Sequence, residues 1–134
     1  MFVKQTCVKA REFRIHIDSP SAYKLFRSFF VKTLADTYNA GPLVIMCIGT
    51  DRSTGDALGP LVGERLHKTC RHARVFGNLK EPVHAVNLEK ILDNIRDTYE
   101  NPFIIAVDAS LGPSENVGTI KIAPGSLKPG AGVN

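Results

Sequence analysis

Short apolar runs, typical of strands, alternate along this chain with longer segments in which apolar residues recur at helical spacing. Continuous apolar runs over 43–48 and 103–107 are bounded by glycine, proline or a polar residue, which predicts strands buried on both faces and therefore parallel. Alternation of apolar and polar residues over 13–17 and 117–122 predicts half-buried strands, the second at a sheet edge. The run 74–79 is a further strand candidate.

Between these runs, apolar residues recur every three to four positions and predict three helices. They span about 20–38, 57–70 and 88–99. Ser19 followed by Pro20 predicts the start of the first helix, and Asp56 stands where it could cap the second. The alternation of helices and strands predicts an α/β fold, a three-layer α/β/α domain with a mostly parallel sheet.

The length of the chain suits one domain over residues 1–134. It has 134 residues, of which 43% are hydrophobic and 22% charged, as expected of a folded globular protein. We expect an N-terminal extension over 1–18 and an irregular tail over 124–134. No apolar run is long enough for a membrane helix and no secretory signal is evident, so a cytoplasmic location is expected.

Charge and cysteine content narrow the possible partners. The net charge is +4, and residues 1–32 carry seven Lys or Arg against two acidic residues. Because no aromatic residues suited to base stacking accompany these charges, the pattern does not favour nucleic-acid binding. The three cysteines, Cys7, Cys47 and Cys70, lack C-x-x-C spacing, which argues against a disulfide framework and against a structural zinc site.

Polar side chains follow the two buried strands at the end where ligands bind in parallel sheets. The first strand is followed by a polar loop that ends at Asp56, and the second is followed at once by Asp108. If the strands are neighbours, the two carboxylates face each other. Such a pair can share a proton and activate water, or it can bind a divalent cation. The alternative is structural, with Asp56 as a helix cap and Asp108 as a turn former.

Other chemistries for the same loop are less well supported. Gly49 and Gly55 flank it, but no P-loop lysine follows and Asp56 would repel a phosphate at the helix start. A nucleophilic role for Ser53 or Ser110 needs a histidine base that the strand ends do not supply.

The polar loop belongs to a longer block with a family resemblance. Residues 47–63, Cys-Ile-Gly-Thr-Asp-Arg-Ser-Thr-Gly-Asp-Ala-Leu-Gly-Pro-Leu-Val-Gly, resemble the YyaC family of sporulation proteins of endospore-forming bacteria. The likeness continues through 82–88, 101–109 and 127–133 and covers about residues 14–134. That family is similar to the germination protease that degrades small acid-soluble spore proteins. It is also related to the hydrogenase maturation endopeptidases, which implies a phosphorylase/hydrolase-like fold.

The resemblance assigns roles to two residues. It implies that Asp56 and Asp108 are catalytic aspartates. In the hydrogenase maturation enzymes the corresponding positions, with a later histidine, bind nickel. This chain has no histidine after His84, which favours a water-activating pair without a cofactor. The same two aspartates would hold a divalent metal under the alternative. Family members continue beyond the segment matching 128–133 into a strand and a helix, so a truncated C-terminus is expected.

The sequence therefore predicts a sporulation-associated peptidase of the spore compartment. Its substrates would be proteins or peptides, with small acid-soluble spore proteins as the candidates that the resemblance implies. Arg52 would contact the oxyanion or a substrate carboxylate, and the rest of the loop would shape the substrate site (Asp51, Ser53 and Thr54). The alternative is a non-catalytic protein of the same fold that binds a metal or a peptide during sporulation.

Overall fold

A computed structural model of the chain describes residues 12–125, and its elements are those of a mixed α/β protein. In chain order they are β1 (Phe13–His16), α1 (Ala22–Thr37), β2 (Leu43–Cys47), α2 (Leu58–Thr69), β3 (Arg74–Phe76), α3 (Leu88–Thr98), β4 (Phe103–Val107) and β5 (Thr119–Ile122). The α/β class is confirmed. Much of the predicted N-terminal extension, most of the predicted tail and the predicted truncation lie outside the described residues.

The continuous apolar runs form adjacent parallel strands, β2 and β4, as predicted, but burial on both faces holds for β2 alone: β4 lies at an edge of the three strands described, and none of its residues is fully buried. The strand order is β3-β2-β4, so β2 lies between two parallel neighbours. Leu43 pairs with Phe103 and Cys47 with Val107, which keeps β2 and β4 in register along their whole length. Because β2 lies between two strands, Val44 and Cys47 are fully buried.

The helices α2 and α3 cover opposite faces of this sheet. Side chains alternate along a strand, so Val44, Met46 and Ile48 share one face of β2 and Cys47 points to the other. Ile95 of α3 packs on the first face, in a buried cluster with those residues and Val83. A Cβ placed on Gly63 of α2 would lie 3.2 Å from the Cβ of Cys47, on the second face. These residues therefore form three layers, a helix on each side of the sheet.

The helix α2 approaches the sheet so closely that only glycine fits at the contact. A Cβ on Gly59 would overlap the carbonyl oxygen of Ile48, and one on Gly63 would overlap that of Gly77. These two glycines are four residues apart and therefore lie on one side of the helix. Their spacing brings the start of α2, and the loop before it, against the end of β2.

The strands β1 and β5 form a separate antiparallel pair. Phe13 pairs with Ile122 and His16 with Thr119. The ring of Phe13 stacks on Phe29 of α1 with centroids 3.9 Å apart. The sequence places β5 at the edge of the mostly parallel sheet, but in the structure its partner is β1. The helix α1 begins at Ala22 without a side-chain cap, so the predicted start, with Ser19 as the cap and Pro20 as the first helical residue, is two residues early.

The described chain divides into two compact units. One comprises residues 12–39 and 112–125, with α1, β1 and β5, and the other comprises residues 40–111, with the parallel sheet. The prediction of one domain over 1–134 stays a prediction. Within 12–125, no helix is both long and apolar enough to span a membrane.

Candidate active site

The strand order of the parallel sheet creates a crevice between β2 and β4. From β2 the chain passes through α2 to β3 on one side, and then through α3 to β4 on the other side. The strand order therefore reverses at β2, with β3 added on one side and β4 on the other, which makes the gap between the carboxyl ends of β2 and β4 the topological switch point. Ligands of open α/β sheets bind at such points.

Asp56 reaches this crevice through a tight loop at the end of β2. The amide of Thr50 donates a hydrogen bond to the carbonyl oxygen of Asp56 over 3.0 Å, and the amide of Asp56 donates to Ser53 over 3.0 Å. Gly49 has a φ of 144°, and a Cβ there would overlap the Asp56 carbonyl oxygen. Glycine is required at this position because the loop folds back directly onto it.

The side chain of Asp56 does not cap α2. That helix begins at Leu58 with Ala57 as its N-cap residue, and no side-chain hydrogen bond caps it. Asp56 instead ends a single 3₁₀ turn, Thr54–Asp56. The structural interpretation of Asp56 as a helix cap is therefore wrong, and the Asp56 carboxylate forms no hydrogen bond that caps α2.

Asp108 follows β4 on the other side of the crevice. The amide of Ile48 donates a hydrogen bond to the carbonyl oxygen of Val107 over 2.7 Å, which ties the end of β4 to the end of β2. The Asp108 side chain is half-buried. Burial raises the pKa of its carboxyl group, and the charge of Asp56 raises it further, while a hydrogen bond with the Ala109 backbone acts in the opposite direction.

The two predicted aspartates are thus brought within electrostatic range of each other. The Asp56 backbone is hydrogen-bonded to Thr50, and Asp108 directly follows Val107, whose backbone is hydrogen-bonded to Ile48. The charge of Asp56 is felt at the Asp108 carboxyl group. A partly desolvated carboxyl group that meets a second carboxylate retains its proton to higher pH than an isolated one. This arrangement suits a carboxyl group, that of Asp108, which serves as a proton donor.

The predicted substrate-binding residues lie on the same loop as Asp56, and all four are exposed (Asp51, Arg52, Ser53 and Thr54). The amide of Arg52 donates a hydrogen bond to Oγ1 of Thr50 over 3.3 Å. Among residues 12–125, the Arg52 guanidinium forms no ion pair with a carboxylate. It is therefore available to an incoming group. The assigned roles of these residues stay predictions.

A third segment, around Val83, also reaches the site, although the sequence pattern does not predict it. Val83 forms an isolated parallel bridge with Ile48, and its carbonyl oxygen accepts a hydrogen bond from the Gly49 amide over 2.7 Å. The Asn87 side chain holds this segment, accepting from the His84 amide over 2.8 Å and donating to the Pro82 carbonyl over 2.9 Å. In the apolar pattern, Val83 stands alone between Pro82 and His84, which is too short a run to predict a strand, and the segment entered the sequence analysis only through the family resemblance over 82–88.

The described residues do not complete a metal site around the two aspartates. Within 12–125, no group of three His, Cys, Asp or Glu side chains is placed to hold a metal ion. Two carboxylates alone do not match the three or four protein ligands usual for nickel or zinc. We therefore derive no step through a metal.

Comparison with known proteins gives the chain a family. Residues 14–134 match the family described as "Protein of unknown function (DUF1256)". The chain is 54% identical over 93 residues to "Uncharacterized protein YyaC" of Bacillus subtilis (strain 168). The aligned part covers 69% of this chain and 45% of that protein, so the chain spans about half the length of the relative. No solved structure matches the chain. The resemblance to YyaC is confirmed, and the links to proteases and to sporulation stay predictions.

Proposed function

We propose that this chain, which belongs to the family described as "Protein of unknown function (DUF1256)", is a peptidase whose Asp56 and Asp108 share a proton and activate water. The observation that carries the proposal is that the charge of Asp56 acts on the half-buried carboxyl group of Asp108 at the switch point of the sheet. Burial and the charge of Asp56 both favour the protonated form of Asp108. A neighbouring acid and base are what hydrolysis of an amide by water requires.

The two aspartates have different tasks in this proposal. Asp108, whose pKa is raised, holds the shared proton and donates it to the carbonyl oxygen of the scissile peptide bond. Asp56 accepts a proton from the attacking water, and the water oxygen bonds to the carbonyl carbon. Collapse of the tetrahedral intermediate breaks the C–N bond: Asp56 passes its proton to the leaving amine, and a hydroxyl group of the intermediate returns a proton to Asp108 as the new carboxyl group forms. The products are a carboxylic acid and an amine, and the pair returns to its starting state.

The surroundings of the pair offer contacts of two kinds to a peptide. Arg52 has no carboxylate partner in the described chain and can meet a developing oxyanion or a substrate carboxylate. Leu58 and Leu111, close in sequence to the two aspartates, are 50% and 68% exposed. Exposed apolar side chains beside a polar centre suit the side chains that flank a scissile bond.

The setting proposed is that implied by the YyaC resemblance. The fold would be phosphorylase/hydrolase-like, and the protein would act in the cytoplasm of the developing or germinating spore. Its substrates would include small acid-soluble spore proteins. Because the chain spans about half of its curated relative, the activity of the longer protein is part of the same proposal.

Incubation with small acid-soluble spore proteins and with a mixed peptide library, read by mass spectrometry, tests the proposal. We expect cleavage by the wild-type chain and at least a 100-fold loss in both Asp56→Asn and Asp108→Asn, since removal of a general acid or base costs about 10²–10⁴-fold. Asp97→Asn is the matched control because Asp97 is exposed on α3 and forms no ion pair within residues 12–125. It should cleave like the wild type.

Two results would count against a peptidase. One is the absence of cleavage by a folded wild-type chain, and the other is cleavage by Asp56→Asn and Asp108→Asn at the wild-type rate. Binding of a peptide without cleavage would instead identify the non-catalytic alternative, a peptide-binding protein of the same fold.

A further inference from the structure

A second concave site lies at the opposite end of the parallel sheet from the two aspartates. It is a cavity of about 300 Å³ where α2 ends, β3 begins and α3 ends. His67 and Cys70 come from the end of α2, Arg74 from the first position of β3, and Tyr99 from the residue after α3. Three different elements thus present polar side chains to one volume. The peptidase proposal uses none of these residues.

The wall of this cavity carries positive charge that the described chain does not neutralise. Residues 67–74 read His-Lys-Thr-Cys-Arg-His-Ala-Arg and contain no acidic side chain. Lys68 pairs with Glu64 over 3.1 Å, but Arg74 forms no ion pair with any carboxylate of residues 12–125. Glu100 follows Tyr99 in the chain and does not line the cavity. An unpaired guanidinium at the edge of a cavity favours an anionic occupant.

The remaining walls restrict the kind of anion. Val75 and Phe76 also line the cavity, and the Phe76 and Tyr99 rings pack against the buried core of the sheet. The volume exceeds what a bare phosphate or carboxylate ion would fill, and two of its walls are aromatic. An anion attached to a flat apolar group would use both features.

We propose that this cavity binds a small organic anion whose phosphate or carboxylate group is held by Arg74 and His67. Arg74 presents forked N–H donors that match two oxygens at once, and His67 and Tyr99 supply further hydrogen-bonding groups. The apolar part of the ligand lies against Phe76 and Tyr99, and the Cys70 thiol borders the bound molecule.

Titration of the full chain with two probes tests this site and separates its two possible chemistries. Phenyl phosphate and benzoate share an aromatic ring and differ in their anionic group. In ¹H–¹⁵N spectra we expect saturable shifts of residues 67–76 and 99 with at least one of them, and the tighter probe identifies the anion. Arg74→Gln should weaken binding at least about tenfold, and Arg74→Lys by less. Arg65→Gln, which alters an exposed arginine of α2 outside the cavity, should leave affinity unchanged.

A second readout does not depend on any variant. A ligand seated beside Cys70 should slow alkylation of that thiol in the wild-type chain. The proposal is overturned if neither probe gives saturable shifts or protects Cys70 at concentrations up to about 10 mM, well above a millimolar Kd. It is also overturned if Arg65→Gln weakens binding as much as Arg74→Gln, because the attraction would then be non-specific.

Discussion

Gly63 of α2 lies so close to the carbonyl oxygen of Gly77 that a side chain on Gly63 would overlap it. Gly77 in turn follows β3 and lies against the Cys47 carbonyl, with a φ of 88°. The helix that follows the Asp56 loop is therefore set against the sheet by backbone contact. The position of Asp56 depends on this close packing, since α2 begins two residues after it.

Replacement of Gly63 by alanine tests how much this contact contributes to stability. The added methyl group meets backbone, which cannot rotate away, so α2 must shift. We expect Gly63→Ala to lower the free energy of unfolding by about 1–3 kcal/mol in urea denaturation. Alanine otherwise favours a helix by about 0.8–1 kcal/mol over glycine, so a loss means that the clash dominates.

Gly55→Ala is the control for that measurement. A Cβ on Gly55 meets no atom within 4 Å, so this change should leave stability nearly unaltered. A Gly63→Ala variant as stable as Gly55→Ala would contradict the close approach of α2 to the sheet.

The pKa of Asp108 predicts that its own carboxylate destabilises the protein at neutral pH. Burial, and then the charge of Asp56, raise the folded-state pKa above the ordinary value of 3.8. The folded state therefore binds the proton more tightly, and stability is lost as pH rises through the raised pKa. Asp108→Asn removes this cost and should unfold at higher urea concentration than the wild type at pH 7.

The pH dependence of that difference is the sharper part of the test. The gain from Asp108→Asn should shrink as pH falls towards 3.8, where the wild-type group is also protonated. Asp97→Asn should show no comparable gain, since Asp97 is exposed. A neutral-pH stability of Asp108→Asn below that of the wild type would contradict the assignment of the shift.

The two described cysteines should differ in reactivity. Cys47 is fully buried in β2, and burial raises the pKa of its thiol from 9.0 to about 11. Its thiolate fraction near neutral pH is then about 100-fold below that of an ordinary thiol, and the reagent has no access to it. Peptide mapping after brief alkylation of the folded chain should find Cys70 modified and Cys47 unmodified. Equal labelling before denaturation would contradict the burial of β2.

The local sequence pattern predicts much of the parallel sheet and the two aspartates of its candidate site. The run 103–107 forms β4 with the predicted bounds, because a short apolar run bounded by turn residues is typical of a strand in a parallel sheet. Asp56 and Asp108 were found because polar residues at the ends of such strands converge at one edge of the sheet. The family resemblance, carried by residues 47–63, points to the same pair.

The other features of the fold and of the site depend on contacts between segments that are distant in the chain, and a local sequence pattern does not predict such contacts. The pairing of β5 with β1 joins residues more than 100 positions apart. The Val83 bridge and the Asn87 hydrogen bonds that hold it give no periodic signal. Gly59 and Gly63 were visible as a spacing of four, but their meaning depends on which backbone lies opposite.

An NMR titration of the Asp108 carboxyl carbon in Asp56→Asn tests most directly whether Asp56 and Asp108 act as one electrostatic pair. We predict that the Asp108 pKa falls below its wild-type value while staying above 3.8, because burial is the larger cause of the shift and Asp56 the second. Asp51→Asn, which alters an exposed aspartate of the same loop, should leave the Asp108 pKa unchanged. An Asp108 pKa that is identical in the wild type and in Asp56→Asn would contradict the pair.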